Sequence, residues 1–194
     1  MDGFEKRTYQ KRLNILEAAL KLFTNNGIKK VSIAEIAMKA NVSQVTIYNY
    51  FESKENLLRE TMEYYVEKSF DHYQKILDAN MPFPDKIEQM IFQKTELTSN
   101  IHEEIYSYFL NSSAEQSLFL DKIYQEKSIP FFHQLITEGK ESGYIKNELS
   151  ENAILLFIHM FKDYMQKKDL TDILVPITED VMHLFFYGIM GKSN

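Results

Sequence analysis

Apolar residues recur along this chain at spacings of three and four, and no segment alternates apolar and polar residues at period two, so the pattern predicts a protein built from helices alone. A first helix is expected over residues 8–25, where Ile15, Leu16, Ala19, Leu20, Leu22 and Phe23 form a stripe that ends at Gly27. Two short helices follow between residues 32 and 52. A fourth, capped by Ser53 and carrying Leu58, Met62, Tyr65, Val66, Phe70, Tyr73 and Leu77, should run to Asn80, roughly 36 Å at the helical rise. Pro82 and Pro84 then break the chain. Helices are expected over 85–97 and 102–110. Another segment runs from Ser113 to about Gly143, with a bend or break near Lys127 because Pro130 falls inside it. Two last helices, 150–165 and 178–190, are apolar almost all the way round, as helices buried on more than one side are.

The two short helices carry the strongest local signals. Ser32 with Glu35 forms a capping box, flanked by Val31 and Ile36 at staple spacing. Asn41 stands where the chain must turn, and it is one of the few non-glycine residues that accepts a left-handed conformation. Ser43 caps the next helix almost at once, so residues 31–54 read as a helix-turn-helix. On its second helix Ile47 and Phe51 lie four apart on one face, while Gln44, Val45, Tyr48 and Asn49 share the other. An amide, a phenol and a small apolar group suit base edges, phosphates and thymine methyls. By itself the pattern fits equally an ordinary helical hairpin with a polar outer face.

The wider set of residues decides between the two. Gly27, Ser32, Ile36 with Ala37, Ala40-Asn41-Val42-Ser43, Thr46-Ile47-Tyr48, Phe51 and Ser53-Lys54-Glu55-Asn56-Leu57 together resemble the DNA-binding domain of the TetR family of transcriptional regulators. Asn41 replaces the usual turn glycine, and Val45 stands where a glycine or small residue is common. The resemblance covers about the first third of the chain. It implies an all-α protein: an N-terminal three-helix DNA-binding head (residues 1–53), a long connecting fourth helix, and a C-terminal helical effector-binding and dimerisation domain (residues 54–194). Carried over position by position, it implies DNA contacts at Ser32, Gln44, Val45, Thr46, Tyr48, Asn49, Tyr50 and Lys54, with Gln44 and Val45 at base edges and Thr46, Tyr48, Tyr50 and Lys54 at phosphates.

Charge agrees with a polyanionic partner once its distribution is considered. The chain is formally −6, yet residues 1–59 hold ten Lys or Arg against six acids, and the remainder twelve against twenty-two. Lys6, Arg7, Lys11 and Arg12 could serve a phosphate backbone or simply a solvated arm. With no cysteine there is neither a disulfide framework nor a thiolate site. The N-terminal stretch lacks a signal-peptide core, and uncharged runs such as residues 152–161 are too short to span a bilayer, so a cytoplasmic protein is expected.

Enzymatic and metal chemistry find little support. His72, His102, His133, His159 and His183 are scattered without ligand spacing, and no nucleophile, P-loop or dinucleotide motif is present. No cofactor, metal site or catalytic residue is expected. The second domain is rich in aromatic residues and methionine, which serve either as plain core or as the wall of an apolar cavity. The family resemblance favours an inducer pocket, for which Tyr65, Phe70, Tyr73, Phe92, Tyr106, Phe109, Tyr124, Phe131, Met160 and Tyr164 are candidates. The excess apolar surface of the last two helices predicts a homodimer, with Ile154, Phe157, Ile158, Phe161, Val181, Leu184, Phe185 and Ile189 at its interface. The expected function is that of a ligand-responsive repressor on a (pseudo)palindromic operator, released by a small, largely apolar effector. The competing reading is a helix-turn-helix protein whose C-terminal domain serves protein contacts alone.

Overall fold

The computed structural model describes residues 2–92, 103–110, 114–165 and 177–190, and every regular element among them is helical. The chain divides into two compact units, Met1–Ser69 with Lys94–Tyr108, and Phe70–Gln93 with Phe109–Asn194. The division falls inside the long fourth helix, α4 (Lys54–Asp78), and not at its start, where the expected domains meet. Polar contacts hold the early turns of α4 in the first unit: Arg12 pairs with Glu60, and Tyr64 donates to Glu17 at 2.9 Å.

In the first unit α1 (Gly3–Asn26) starts five residues before the apolar stripe predicts. The cause is a capping box invisible to periodicity: the N–H groups of Phe4 and Glu5 donate to Asp2, and the Asp2 N–H donates back to Glu5. Lys6, Arg7 and Lys11 therefore sit on exposed helical turns and not on an extended arm. Gly27 ends α1 where the stripe predicts, at φ 82° and ψ 160°, a conformation open essentially only to glycine. α2 (Ile33–Lys39) packs on α1, and α3 (Gln44–Phe51) on α2. Ile15, Ala19, Phe23, Ile36, Ile47, Phe51, Leu57 and Met62 are fully buried in this unit.

The second unit is built from the end of α4 with α5 (Phe83–Phe92), α7 (Ala114–Ile123), α8 (Ile129–Glu141), α9 (Glu151–Met165) and α10 (Thr178–Met190), while α6 (Glu103–Leu110) straddles the division. Leu97, His102 and Ser113, expected at helix ends, lie outside the described residues. Pro84 does not break the chain but occupies the first turn of α5, where its missing N–H costs nothing. Nor does the chain break at Lys127. A π-helical turn, Tyr124–Ser128, joins α7 to α8, and the Ile129 N–H donates to the Tyr124 carbonyl five residues back. Pro130 would clash with the carbonyl four residues before it in an α-helix, and the wider turn makes room. The core of this unit gathers Ile76, Leu77, Phe83, Ile87, Met90, Phe131, Leu135, Ile136, Ile145, Ile154, Ile158, Phe185 and Phe186.

Candidate nucleic-acid interface

The helix-turn-helix is fixed by hydrogen bonds that the sequence specifies almost residue by residue. The Glu35 N–H donates to the Ser32 hydroxyl at 3.2 Å, and the Ser32 N–H and hydroxyl both donate to the Glu35 carboxylate at 2.7 Å. That carboxylate is held below its ordinary pKa by the Ser32 hydroxyl first, then the Ser32 N–H, and last the Lys54 charge. At the far end of α2, Asn41 adopts φ 54°, its N–H bonds to Met38 O (3.2 Å), and the Val42 N–H bonds to Ala37 O (2.9 Å). These are the paired bonds of a Schellman turn, so Asn41 performs the task of the glycine it replaces. Ser43 then caps α3, accepting the Thr46 N–H at 3.0 Å.

Ile47 and Phe51 bury completely, which leaves Gln44, Val45, Tyr48 and Asn49 on the exposed arc of α3. Val45 is 67% exposed, an apolar side chain that no core in its own unit covers. Four of the expected reading residues thus share one solvent-facing surface. Ser32 and Thr46 are occupied locally, the first by its box with Glu35 and the second by a 2.8 Å contact with the Ser43 hydroxyl. Tyr50 is half-buried beside Phe51. Lys54 is half-buried too, and its ammonium donates to the Ile28 carbonyl at 3.2 Å, so it fastens the loop after α1 to the start of α4.

Two features of this surface escape a reading by local pattern. The Arg12 guanidinium lies 5.2 Å from the centroid of the Phe51 ring while it pairs with Glu60, so one side chain from α1 braces the end of α3 against α4. Glu52, just after α3, has φ 64° and ψ −42°, and the Ser53 N–H reaches back to Phe51 O at 2.6 Å, a strained γ-turn at a non-glycine residue.

A sequence profile described as "Bacterial regulatory proteins, tetR family" matches residues 15–61. The chain is 22% identical over 163 residues to the HTH-type transcriptional repressor KstR2 of Mycobacterium tuberculosis, covering 81% of this chain and 80% of that one. It is 25% identical to the fatty acid metabolism regulator protein of Bacillus subtilis over 96% of this chain and 100% of that one. The crystal structure of the Bacillus subtilis transcriptional regulator FadR in complex with stearoyl-CoA shares the fold at a TM-score of 0.58 and 22% identity, over 91% of this chain and 98% of that one. Residues 15–61 of this chain thus match a tetR-family domain.

The remaining candidate residues separate by exposure. Ile154, Ile158 and Phe185, expected at a dimer interface, lie in the core of the second unit. Phe185 is its aromatic hub, 4.6 Å from the ring of Phe161, 5.2 Å from Phe186 and 5.9 Å from Phe157. Val181 is half-buried, and the side chain of Ile189 lies outside those described. Phe157 and Leu184, of the same expected set, are exposed, as are the apolar side chains of Leu156, Met160 and Tyr164 on α9 and Tyr187 on α10. A groove of about 150 Å³ lined by Leu149, Ala153, Ile154, Phe157 and Gly188 lies along the same helices.

Of the pocket candidates, Tyr65 and Tyr106 belong to the first unit and the others to the second. Phe131 is plain core, and Met160 and Tyr164 face outward on α9. Tyr73 packs against the core, and burial raises the pKa of its phenol. Phe70 and Phe109 are half-buried. Tyr124, on the π turn, bonds to His159 at 3.2 Å and carries the Lys162 ammonium over its ring at 4.1 Å. The side chains of Phe92 and Tyr106 lie outside those described. Among the described residues no group of three or more His, Asp or Glu side chains could hold a metal ion, and no helix is long and apolar enough to cross a membrane.

Proposed function

We propose that this TetR-family regulator represses transcription in the cytoplasm as a homodimer on (pseudo)palindromic operator DNA, and releases it when an effector with a long apolar portion binds the second unit. The observation that carries the DNA reading is the exposed arc Gln44–Val45–Tyr48–Asn49 on a helix whose opposite face is fully buried. Gln44 suits an adenine edge and Val45 a thymine methyl. Dimerisation is supported by the exposed apolar residues Leu156, Phe157 and Met160 of α9 and Leu184 of α10, since exposed apolar patches mark interaction surfaces. Gly188 adds to this, since nothing lies within 4 Å of where its Cβ would be, so a second helix can approach closely there.

The effector class is supported by likeness to proteins whose names concern fatty acid metabolism or whose structure holds stearoyl-CoA. Phe70, Tyr73 and Phe109, half-buried rings of the second unit, are the candidates to meet such a chain. Selection of bound duplexes from a random DNA pool tests the first part: a palindromic motif should emerge, and Gln44→Ala should lose preference at one position of each half-site. Stearoyl-CoA titrated into the operator complex tests the second, with release expected. An operator affinity unchanged at saturating stearoyl-CoA would remove that effector class from the proposal.

A further inference from the structure

The opening turns of α1 bury no side chain. The earliest buried residue of this helix is Ile15, and residues 3–11 are exposed except for Thr8, which is half-buried. Phe4 is 70% exposed and Tyr9 55%. A helical end that buries so little ordinarily frays, yet here the Asp2–Glu5 capping box keeps it helical. That box also occupies the two acids of the stretch, which accept from backbone N–H groups at its tip. The cations are left over: the side chains of Lys6, Arg7 and Lys11 make no hydrogen bond or ion pair among the described residues.

Contacts further along the helix, all within the first unit, fix where those cations stand. Arg12 pairs with Glu60, and Tyr64 donates to Glu17, so a step back along α1 is also a step back along α4 and the two helices run in the same direction. At the helical rise α1 continues roughly 14 Å before Arg12, whereas α4 continues roughly 9 Å before Glu60. The first turn of α1 therefore reaches past the level of Lys54, beside the Glu52–Ser53 turn that follows α3. The Arg12 guanidinium over the Phe51 ring ties the same part of α1 to the end of α3. Arg7 and Lys11, four residues apart, share one face of this overhang.

We propose that Arg7 and Lys11, with Lys6 beside them, form a second DNA-binding surface: they hold the phosphate backbone just outside the base pairs that α3 reads. Charge and position both favour this partner. Three unpaired cations stand on a helical overhang next to the end of α3, and the phosphate backbone of a duplex continues past any helix seated in its groove. Phosphate contacts carry no sequence information, so these residues add affinity and salt dependence without lengthening the recognised motif. The proposal rests on the DNA reading of α3 above.

The test uses the full chain and the motif that wild type selects from random DNA. That motif is made as a short duplex and as one longer at each end by roughly five base pairs of unrelated sequence, half a helical turn. Wild type should prefer the long duplex, and with two further phosphates engaged its salt slope there should be steeper by about 1.8 for each bound head. A roughly fourfold rise in salt should therefore cut the long-over-short affinity ratio at least about tenfold. In Arg7→Gln/Lys11→Gln the ratio should fall close to one and the extra slope should vanish, while Arg7→Lys/Lys11→Arg, which keeps both charges, should retain them. Loss of fold would lower both affinities together and leave the ratio alone, so a purely structural role predicts no such change. A double glutamine variant with the wild-type ratio overturns the proposal, as does a wild type indifferent to duplex length; in both cases the reading of α3 stands. A wild type that selects no motif defeats the reading of α3, and this proposal with it.

Discussion

Leu184 and Phe185 are neighbours on α10, and the two should fail in different ways. Leu184 is 70% exposed, whereas Phe185 is 5% exposed at the centre of an aromatic cluster. Full burial of a leucine side chain is worth about 1.5–3 kcal/mol, so covering what Leu184 leaves open is worth about 1–2 kcal/mol. A two-fold interface counts each substitution twice, which gives about 2–4 kcal/mol for Leu184→Ala, or a dimer dissociation constant raised about 30- to 1,000-fold. Leu184→Glu should cost more, because a carboxylate must also lose its water. Phe185→Ala instead empties a core site, at about 3–5 kcal/mol of folding stability.

Two assays separate these outcomes. In sedimentation over a range of concentrations, Leu184→Glu should run as a monomer at concentrations where wild type is a dimer, with far-ultraviolet circular dichroism unchanged. In thermal unfolding, Phe185→Ala should melt far below wild type even at concentrations that saturate dimerisation. If Leu184→Glu remains a dimer with the wild-type dissociation constant, the outer stripe of α9 and α10 is not the interface, and the argument from exposed apolar surface is refuted.

The head offers sharper single-site tests. Gln44→Ala should relax discrimination at one base-pair position by about 1–3 kcal/mol without moving the melting temperature, whereas Lys54→Ala should weaken operator and random DNA alike and also lower stability by about 0.5–1.5 kcal/mol through its lost bond to the Ile28 carbonyl; binding and melting curves on both variants decide. Glu52→Gly should raise stability by about 1 kcal/mol, because glycine relieves a positive-φ strain that glutamate bears, and a lower melting temperature would contradict the γ-turn account. Glu35 has a folded pKa below its ordinary 4.5, so its contribution to stability is present above that value and disappears as the pH falls through the lower folded value. The acid limb of a pH–stability curve should accordingly shrink in Glu35→Gln.

Much of the head was legible because its determinants are local. Ser32, Asn41, Ser43 and Ser53 act on backbone groups within a few residues, so their spacing states their role, and each makes the expected cap or turn. Where the reading fell short, a local signal was outweighed by something not periodic. Asp2 and Glu5 extend α1 beyond the reach of any apolar stripe. Pro130 forbids a regular α-turn, yet a π turn of five residues absorbs it, and no sequence rule distinguishes that from a break. The contacts of Arg12 with Phe51 and Glu60, and of Lys86 with Leu77 and Glu138, join residues far apart in the chain, and a lysine reads as a surface residue until a buried carbonyl is found beside it.

The two apolar helices show the same limit in another form. Periodicity assigns a face when one side of a helix is polar, and AILLFIHMF has no such side, so the sequence identified the helix that must be covered twice without saying which residues each partner covers. Packing resolves it: Ile154 and Ile158 go to the chain's own core, and Leu156, Phe157, Met160 and Tyr164 are left outside. The resolution changes what an experiment means. A charge placed at Phe185 would abolish dimer and fold together and so could not tell an interface from a core, while the same charge at Leu184, which is 70% exposed, stays largely in the solvent of its own chain and reports mainly on the partner.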